Sequence, residues 1–294
     1  MSAYSTDVRI VTCPQCGAPV QLPRQGGQTQ CAYCHAPLAV VARDDVTIQR
    51  AGPALTEAER YQGLWSQAAS FGAKQLPPEM TEVLRAGPLT PDRVGAALTI
   101  WRSYCQRASA GDFSAGEFAV LMNGSLSSYF GGANDPPRRR ALLESTLDAL
   151  REPAQKQVIR CQLARAAAES GDMQSARTWF AACDPSTPDL QADTAYRVTF
   201  AALATLFNDF RNVLAALGPA PGSIPTASPS RLMIDVLRAN AYEKTGDVGT
   251  AVAQLVTAAR SMDGGLQNVP RIVAVNAYLQ LCPQSLPHAM RQWG

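Results

Sequence analysis

Two pairs of cysteines near the start of the chain constrain its fold more than any other feature. Cys13 and Cys16 form one C-x-x-C pair, Cys31 and Cys34 form a second, and fourteen residues separate the pairs. A C-x-x-C turn presents two sulfurs from one tight loop, so two such turns can complete the thiolate tetrahedron of a structural zinc ion. Two disulfides or four unrelated thiols are the alternatives, and an iron centre uses the same ligands. We predict one structural Zn²⁺ held by these four cysteines.

The residues around the cysteines resemble a zinc ribbon, and the resemblance covers Thr12 to Val41. It implies short strands, which we predict at 18–22 and 38–41, with the polar loop 23–30 as the turn of a β-hairpin. His35 stands where such a ribbon usually has Gly, and we expect it to be a left-handed surface residue and not a ligand. Zinc ribbons bind nucleic acids, bind proteins or only stabilise a fold, so the motif alone does not assign a function.

Charge and composition argue against a protein that coats nucleic acid. The first fifty residues carry four Arg and three Asp, and the whole chain has a net charge of only +2. A ribbon that grips phosphates normally has a denser basic face. We find no signal-peptide pattern and no apolar run long enough to span a membrane, and isolated thiols fit a reducing compartment. We therefore expect a cytoplasmic protein.

Almost everything after the ribbon has helical periodicity, so the predicted fold class is mainly α with a small N-terminal β zinc ribbon. We predict a ribbon over 1–45, a linker over 46–55, a helical block over 56–151 and helical repeats with C-terminal capping helices over 152–294. The predicted helices are 56–71, 79–86, 91–109, 114–130, 137–151, 153–170, 172–183, 189–207, 209–217, 229–245, 247–262, 269–282 and 285–292.

Three segments in the second half share a helix, a short polar turn and a second helix. Gly171-Asp172 and Gly246-Asp247 are the turns of the first and third copies, and Asn208-Asp209 is the turn of a degenerate middle copy. These copies resemble the tetratricopeptide repeat, although their spacings of 37 and 38 residues exceed the family's usual length. The resemblance implies an α-solenoid of helical hairpins that presents a groove to a peptide or helix of another protein.

Three arginines are the predicted partner-binding residues. In the tetratricopeptide family the first helix of each hairpin lines the inner face, and Arg160 and Arg197 hold equivalent positions there. Arg238 lies about one turn along the corresponding third helix, where Asp235 takes the equivalent position. Such a row would favour acidic partner segments. The alternative is three solvated arginines on helix surfaces.

No catalytic set can be assembled from the sequence. It has two histidines, His35 and His288, and it lacks a phosphate-binding glycine loop, a metalloprotease motif and a nucleophile elbow. We expect a non-enzymatic adaptor or scaffold that binds another protein. Nucleic-acid binding through the ribbon is one alternative. A structural subunit of a larger assembly is another, with the apolar helix 269–282 at an interface with another protein or a second copy of the chain.

Overall fold

A computed structural model of the chain describes residues 8–13, 15–16, 18–23, 27–40, 56–70, 75–85, 87–227, 230–261 and 269–293. The described residues form a mainly α-helical fold with two small antiparallel sheets at the N-terminal end, which confirms the predicted fold class. None of the described helices combines the length and the apolar character needed to cross a bilayer.

The strands are Val8–Thr12 (β1), Pro19–Pro23 (β2), Gly27–Gln30 (β3) and Pro37–Val40 (β4). The helices are Glu57–Ser70 (α1), Pro78–Leu84 (α2), Pro91–Ser109 (α3), Phe113–Gly132 (α4), Pro136–Ala149 (α5), Pro153–Glu169 (α6), Met173–Ala181 (α7), Leu190–Leu206 (α8), Phe210–Leu217 (α9), Arg231–Lys244 (α10), Val248–Ser261 (α11), Val269–Leu279 (α12) and Ser285–Trp293 (α13).

The four N-terminal strands, β1–β4, are together called the ribbon below, and they pair differently from the prediction. β1 pairs with β2 and β3 pairs with β4, both antiparallel, so each cysteine pair lies at the tip of its own hairpin. The predicted hairpin turn over 23–30 is therefore wrong for residues 27–30, which form β3, and β1 was not predicted. The C-x-x-C loop is itself the hairpin turn, because the N–H of Cys13 donates to the carbonyl of Ala18 at 2.8 Å. Val41, the last residue of the predicted second strand, lies outside the described residues.

The chain divides into two compact units. Residues Met1–Pro53 and Lys74–Asp184 form the first unit, and Ala54–Ala73 and Pro185–Gly294 form the second. In the first unit, β1 and β2 pack against α5, so the ribbon belongs to the same unit as α2–α7. The predicted domain boundaries, including a separate ribbon over 1–45, stay a prediction.

The first unit has its main core between α3, α4 and α5. Trp101 and Leu126 are almost fully buried there, within a larger apolar cluster. A small buried polar network ties the three helices together, because Trp101 Nε1 and Asn123 Nδ2 both donate to Thr146 Oγ1, at 3.1 and 3.0 Å. Buried polar groups cost free energy unless they are paired, so this network fixes the register of the three helices.

The three predicted polar turns have the same backbone geometry. The residue before each aspartate is left-handed, with φ of 79° at Gly171, 57° at Asn208 and 93° at Gly246. Glycine adopts such a φ without steric cost, and asparagine tolerates it better than most residues. The degenerate middle copy therefore keeps the turn although it has lost the glycine.

An aspartate caps the second helix of each hairpin. The carboxylate of Asp172 accepts a hydrogen bond from the backbone N–H three residues later, and Asp209 and Asp247 do the same for α9 and α11. Such a cap satisfies one of the unpaired N–H groups at a helix start. The same arrangement occurs at Asp112 before α4 and at Asp135 before α5.

Small residues let the helices of each hairpin approach closely. Ala164, Ala201 and Ala239 hold equivalent positions on α6, α8 and α10 and are fully buried. The pairs α6 with α7, α8 with α9, and α10 with α11 pack as helical hairpins. The first hairpin belongs to the first compact unit, and the other two belong to the second.

The C-terminal helices complete the second unit. The predicted helix 269–282 ends earlier, at Leu279, and both Gln280 and Cys282 have positive φ. Part of its apolar surface is used inside the unit, since Ile272 is fully buried in a cluster with residues of α10 and α11. Glu243 on α10 accepts hydrogen bonds from the backbone and side chain of Ser285, which anchors the start of α13.

Candidate metal centre and adjoining cleft

The two C-x-x-C loops, residues 13–16 and 31–34, are called the first and second knuckle, and their sulfurs point to one place. Cys13 and Cys31 are fully buried, whereas Cys16 and Cys34 are exposed. In the second knuckle the backbone N–H of Tyr33 points at Cys31 Sγ, at 3.5 Å. Backbone N–H groups directed at a sulfur stabilise its thiolate form, which is the form that binds a metal.

The spacing of the four sulfurs fits a single metal ion. Cys13 Sγ lies 3.7 Å from Cys34 Sγ, Cys16 Sγ lies 3.6 Å from Cys31 Sγ, and all four lie within 4.8 Å of one another. A tetrahedron with metal–sulfur distances of about 2.3 Å has an edge of about 3.8 Å. A disulfide needs about 2.05 Å between sulfurs, so neither of these close pairs is bonded. The predicted four-cysteine cluster is therefore assembled as a site that can hold one metal ion.

The acid–base balance of the cluster also suits a cation. The backbone N–H of Cys34, with help from that of Tyr33, lowers the pKa of the Cys31 thiol to about 6. The N–H of Ala36 acts in the same direction on Cys34, but desolvation and the neighbouring sulfurs outweigh it and raise the pKa of Cys34 to about 12. Without a metal, the raised pKa of Cys34 keeps this thiol protonated at neutral pH. A metal ion supplies the missing positive charge and displaces the remaining protons.

His35 is placed as predicted. Its φ is 59° and its side chain is exposed, so it occupies the left-handed position beside the second knuckle. Within the described part of the chain, the four cysteines are the one group of three or more His, Cys, Asp or Glu side chains close enough to share a metal ion. Cys161 and Cys183 form a separate buried pair, with 3.7 Å between their sulfurs.

A cleft of about 520 Å³ opens beside the exposed sulfur of Cys16, within the first unit. One wall is the ribbon and the others are α3, α4 and α5. Its lining residues are Cys16, Ala18, Tyr33, Val94, Leu98, Arg102, Tyr129, Phe130, Asp135, Arg138, Ala141 and Leu142. The sequence carries a partial signal for it, because Val94, Leu98 and Arg102 recur every four residues and so share one face of α3.

The three predicted partner-binding arginines are all buried, with 9% of Arg160, 7% of Arg197 and 1% of Arg238 exposed. Arg160 Nη1 donates to the carbonyl of Ala182 at the end of α7, at 3.3 Å. Arg197 pairs with Asp193 on its own helix, at 2.6 Å. Each of these guanidinium groups turns to acceptors inside the fold. Partner binding by these arginines stays a prediction.

Arg238 is the most deeply embedded of the three. Its Nε donates to the carbonyl of Gly218 at 2.9 Å and its Nη2 to that of Leu217 at 2.8 Å, so it covers the C-terminal end of α9. Its Nη1 pairs with Asp235 at 2.7 Å. A guanidinium satisfies otherwise unpaired carbonyls and opposes the negative end of the helix dipole. Asp235 stands where the first two copies have Arg160 and Arg197, and it serves as the ion-pair partner of Arg238.

A second buried charge cluster was missed by sequence reasoning. In the second unit, Arg60 on α1 pairs with Asp193 on α8 at 2.8 Å, and Arg197 pairs with the other oxygen of the same carboxylate. Both guanidinium groups lie over the ring of Tyr61. Burial raises the pKa of Asp193, and the two arginines act against that shift. Arg60 and Asp193 are far apart in the chain, so no local pattern signals their contact.

The arginines at 138–140 also have partners. Arg138 pairs with Asp135 and is largely exposed, Arg139 pairs with Glu169, and Arg140 is buried against Glu144.

Comparison of the whole chain with known protein families, curated proteins and solved structures found no match.

Proposed function

We propose that the chain is a zinc-stabilised, non-enzymatic adaptor that binds another protein. The observation that carries this proposal is the cluster of four sulfurs, whose edges of 3.6 and 3.7 Å suit a tetrahedral ion. Four thiolates with no open position are typical of structural zinc, which organises a surface instead of activating a water molecule. Zinc is preferred to iron because a structural role needs no redox chemistry.

The helical hairpins support a binding role. Each hairpin repeats the same left-handed turn and aspartate cap, and repeated hairpins build extended surfaces for protein partners. The ribbon packs against α5 in the first unit, so a metal-bound ribbon would hold a defined surface next to helices. A net charge of +2 for the whole chain favours a protein partner over nucleic acid.

The test combines elemental analysis with affinity purification. Purified full-length protein should contain about one zinc per chain and no stoichiometric iron. The native chain should capture a specific cellular protein, and the Cys16→Ser variant should lose both the zinc and that partner. His35→Ala is the matched control, because it alters the same knuckle without removing a sulfur. A chain without metal, or one that retains only nucleic acid in a salt-sensitive manner, would contradict the proposal.

A further inference from the structure

The cleft beside the metal centre has a distinctive mixture of surfaces. Val94 and Leu98 on α3 and Leu142 on α5 form an apolar wall. Tyr33, on the second knuckle, stands at the ribbon side with 68% of its surface exposed. A large exposed tyrosine beside an apolar depression is typical of a binding hot spot, because the ring buries much area and its hydroxyl keeps a polar contact.

Arg102 gives the cleft an unmet hydrogen-bonding requirement. Its Nε atom is buried and has no hydrogen-bond partner in the part of the chain that the structure describes. The other two arginines of α3 have partners. Arg107 pairs with Asp112 at 2.6 Å, and Arg93 donates to the carbonyl of Val83 at 3.0 Å. A buried donor without an acceptor is unfavourable, and the guanidinium that carries it belongs to a residue lining the cleft, so a carboxylate bound there would be favoured by this side chain.

The charge of the cleft sets the class of acceptor. Arg102 and Arg138 line the helical walls of the cleft together with one carboxylate, Asp135, so these walls have a formal charge of +1, whereas the thiolate charge of Cys16 lies on the ribbon side. Arg138 Nε lies 3.5 Å from Asp135, a longer separation than in the pairs of the other arginines of this helix start. A single excess positive charge suits one carboxylate, and guanidinium groups bind carboxylates through paired donors. A run of phosphates would need more cations and would be repelled by Asp135.

We propose that this cleft binds a short segment of a partner protein that carries an Asp or Glu next to an aliphatic side chain. The carboxylate meets Arg102, and the aliphatic side chain lies on the Val94 and Leu98 wall under the ring of Tyr33. The volume of about 520 Å³ suits a few residues of a peptide. The inference rests on the proposed adaptor function and specifies where, and to what chemistry, the adaptor binds.

The metal centre would control this cleft. Cys16 and Tyr33 lie on different knuckles and both line it, so a metal ion that joins the two knuckles would fix the ribbon wall. A preorganised wall costs less ordering on binding than a loose one. Affinity for the peptide should therefore fall when the metal is removed.

The experiment selects peptides from a displayed library of random octapeptides on zinc-loaded full-length protein. We expect enriched sequences to contain Asp or Glu beside Leu, Ile or Val. The Arg102→Gln variant should bind the best enriched peptide about ten- to a hundredfold more weakly. Arg107→Gln, on the same helix but outside the cleft, is the matched control and should bind like the native chain.

Further measurements keep the test decisive. The same peptide with Asn or Gln in place of its acids should lose affinity to the same degree. Tyr33→Ala removes an exposed ring and so tests the cleft even if Arg102→Gln folds poorly. Enrichment of no sequence, equal binding to Arg102→Gln and Arg107→Gln, or displacement of the peptide by a single-stranded oligonucleotide in an Arg102-dependent manner would overturn the proposal. Unchanged capture of the cellular partner by Arg102→Gln would reject the cleft while the adaptor function stands.

Discussion

The ribbon and the helices of the first unit have buried cores of different composition. The ribbon's described core consists of Cys13, Val20, Cys31 and Leu38, and two of these four are candidate metal ligands. The core between α3 and α5 instead holds large side chains such as Trp101, which is 1% exposed. A small region cannot bury enough apolar surface to offset the entropy of folding, whereas packed helices can. Metal removal and side-chain truncation should therefore affect different parts of one chain.

Replacement of one of the four cysteines should have the strongest effect among these substitutions. The Cys31→Ser variant should fall from about one zinc per chain to almost none, because binding of a structural zinc can contribute about 10–16 kcal/mol to folding. Elemental analysis measures the metal, and NMR of the ribbon residues should show loss of dispersed signals. Helical circular dichroism should be largely retained, since the helices have their own core. Retention of zinc by Cys31→Ser, or its loss in the His35→Ala control, would contradict the assigned ligands.

Truncation of a buried arginine tests whether a buried ion pair stabilises the second unit. Arg238→Ala should destabilise the second unit by about 3–5 kcal/mol, because it leaves the carboxylate of Asp235 and two helix-end carbonyls buried without their partner. Urea unfolding followed by circular dichroism provides the measurement, and Arg260→Ala, on the exposed side of α11, is the control. A stable Arg238→Ala variant that fails to bind a partner would instead support the predicted arginine row.

Truncation of an apolar side chain tests the helical half of the comparison. Leu126 is fully buried on α4, so Leu126→Ala should cost about 2–5 kcal/mol in the free energy of unfolding. Leu206 is 56% exposed at the end of α8, and Leu206→Ala should change stability by less than about 0.5 kcal/mol. Zinc content should remain unchanged in both variants. Loss of zinc on Leu126→Ala would show that the ribbon depends on the helical core more than we expect.

The helix caps should give the smallest effect and a pH signature. The N–H of Thr250 donates to Asp247 and lowers the pKa of that carboxyl below its ordinary value of 3.8. The folded pKa thus lies below the unfolded one, so the cap's contribution is complete above pH about 3.8 and is lost as the pH falls through the folded pKa. Asp247→Asn should keep most of the cap at neutral pH but remove this acid dependence, which urea titrations across the acid range would measure. A variant with the same acid sensitivity as the native chain would rule out Asp247 as its source.

Local sequence signals determined a large part of this protein. The two C-x-x-C pairs specify the cluster because both partners of each knuckle lie within four residues. The predicted helix 91–109 matches α3 at both ends, since a Pro at its first position and the left-handed Gly111 just after it mark the limits. Asn208 shows that even a turn without glycine can be found from its neighbours, because the aspartate that follows is the cap.

Contacts between residues that are far apart in the sequence could not be predicted from it. Strand pairing across each knuckle was not predicted, because short strands carry too little pattern to set their partners. Arg160, Arg197 and Arg238 lie on the expected helices, but a sequence shows neither that such a side chain is buried nor which acceptor it meets. Arg60 reaches Asp193 across 133 positions of the chain. The cleft arises in the same way, since Tyr33, Arg102 and Leu142 approach one another only when the ribbon packs on α5.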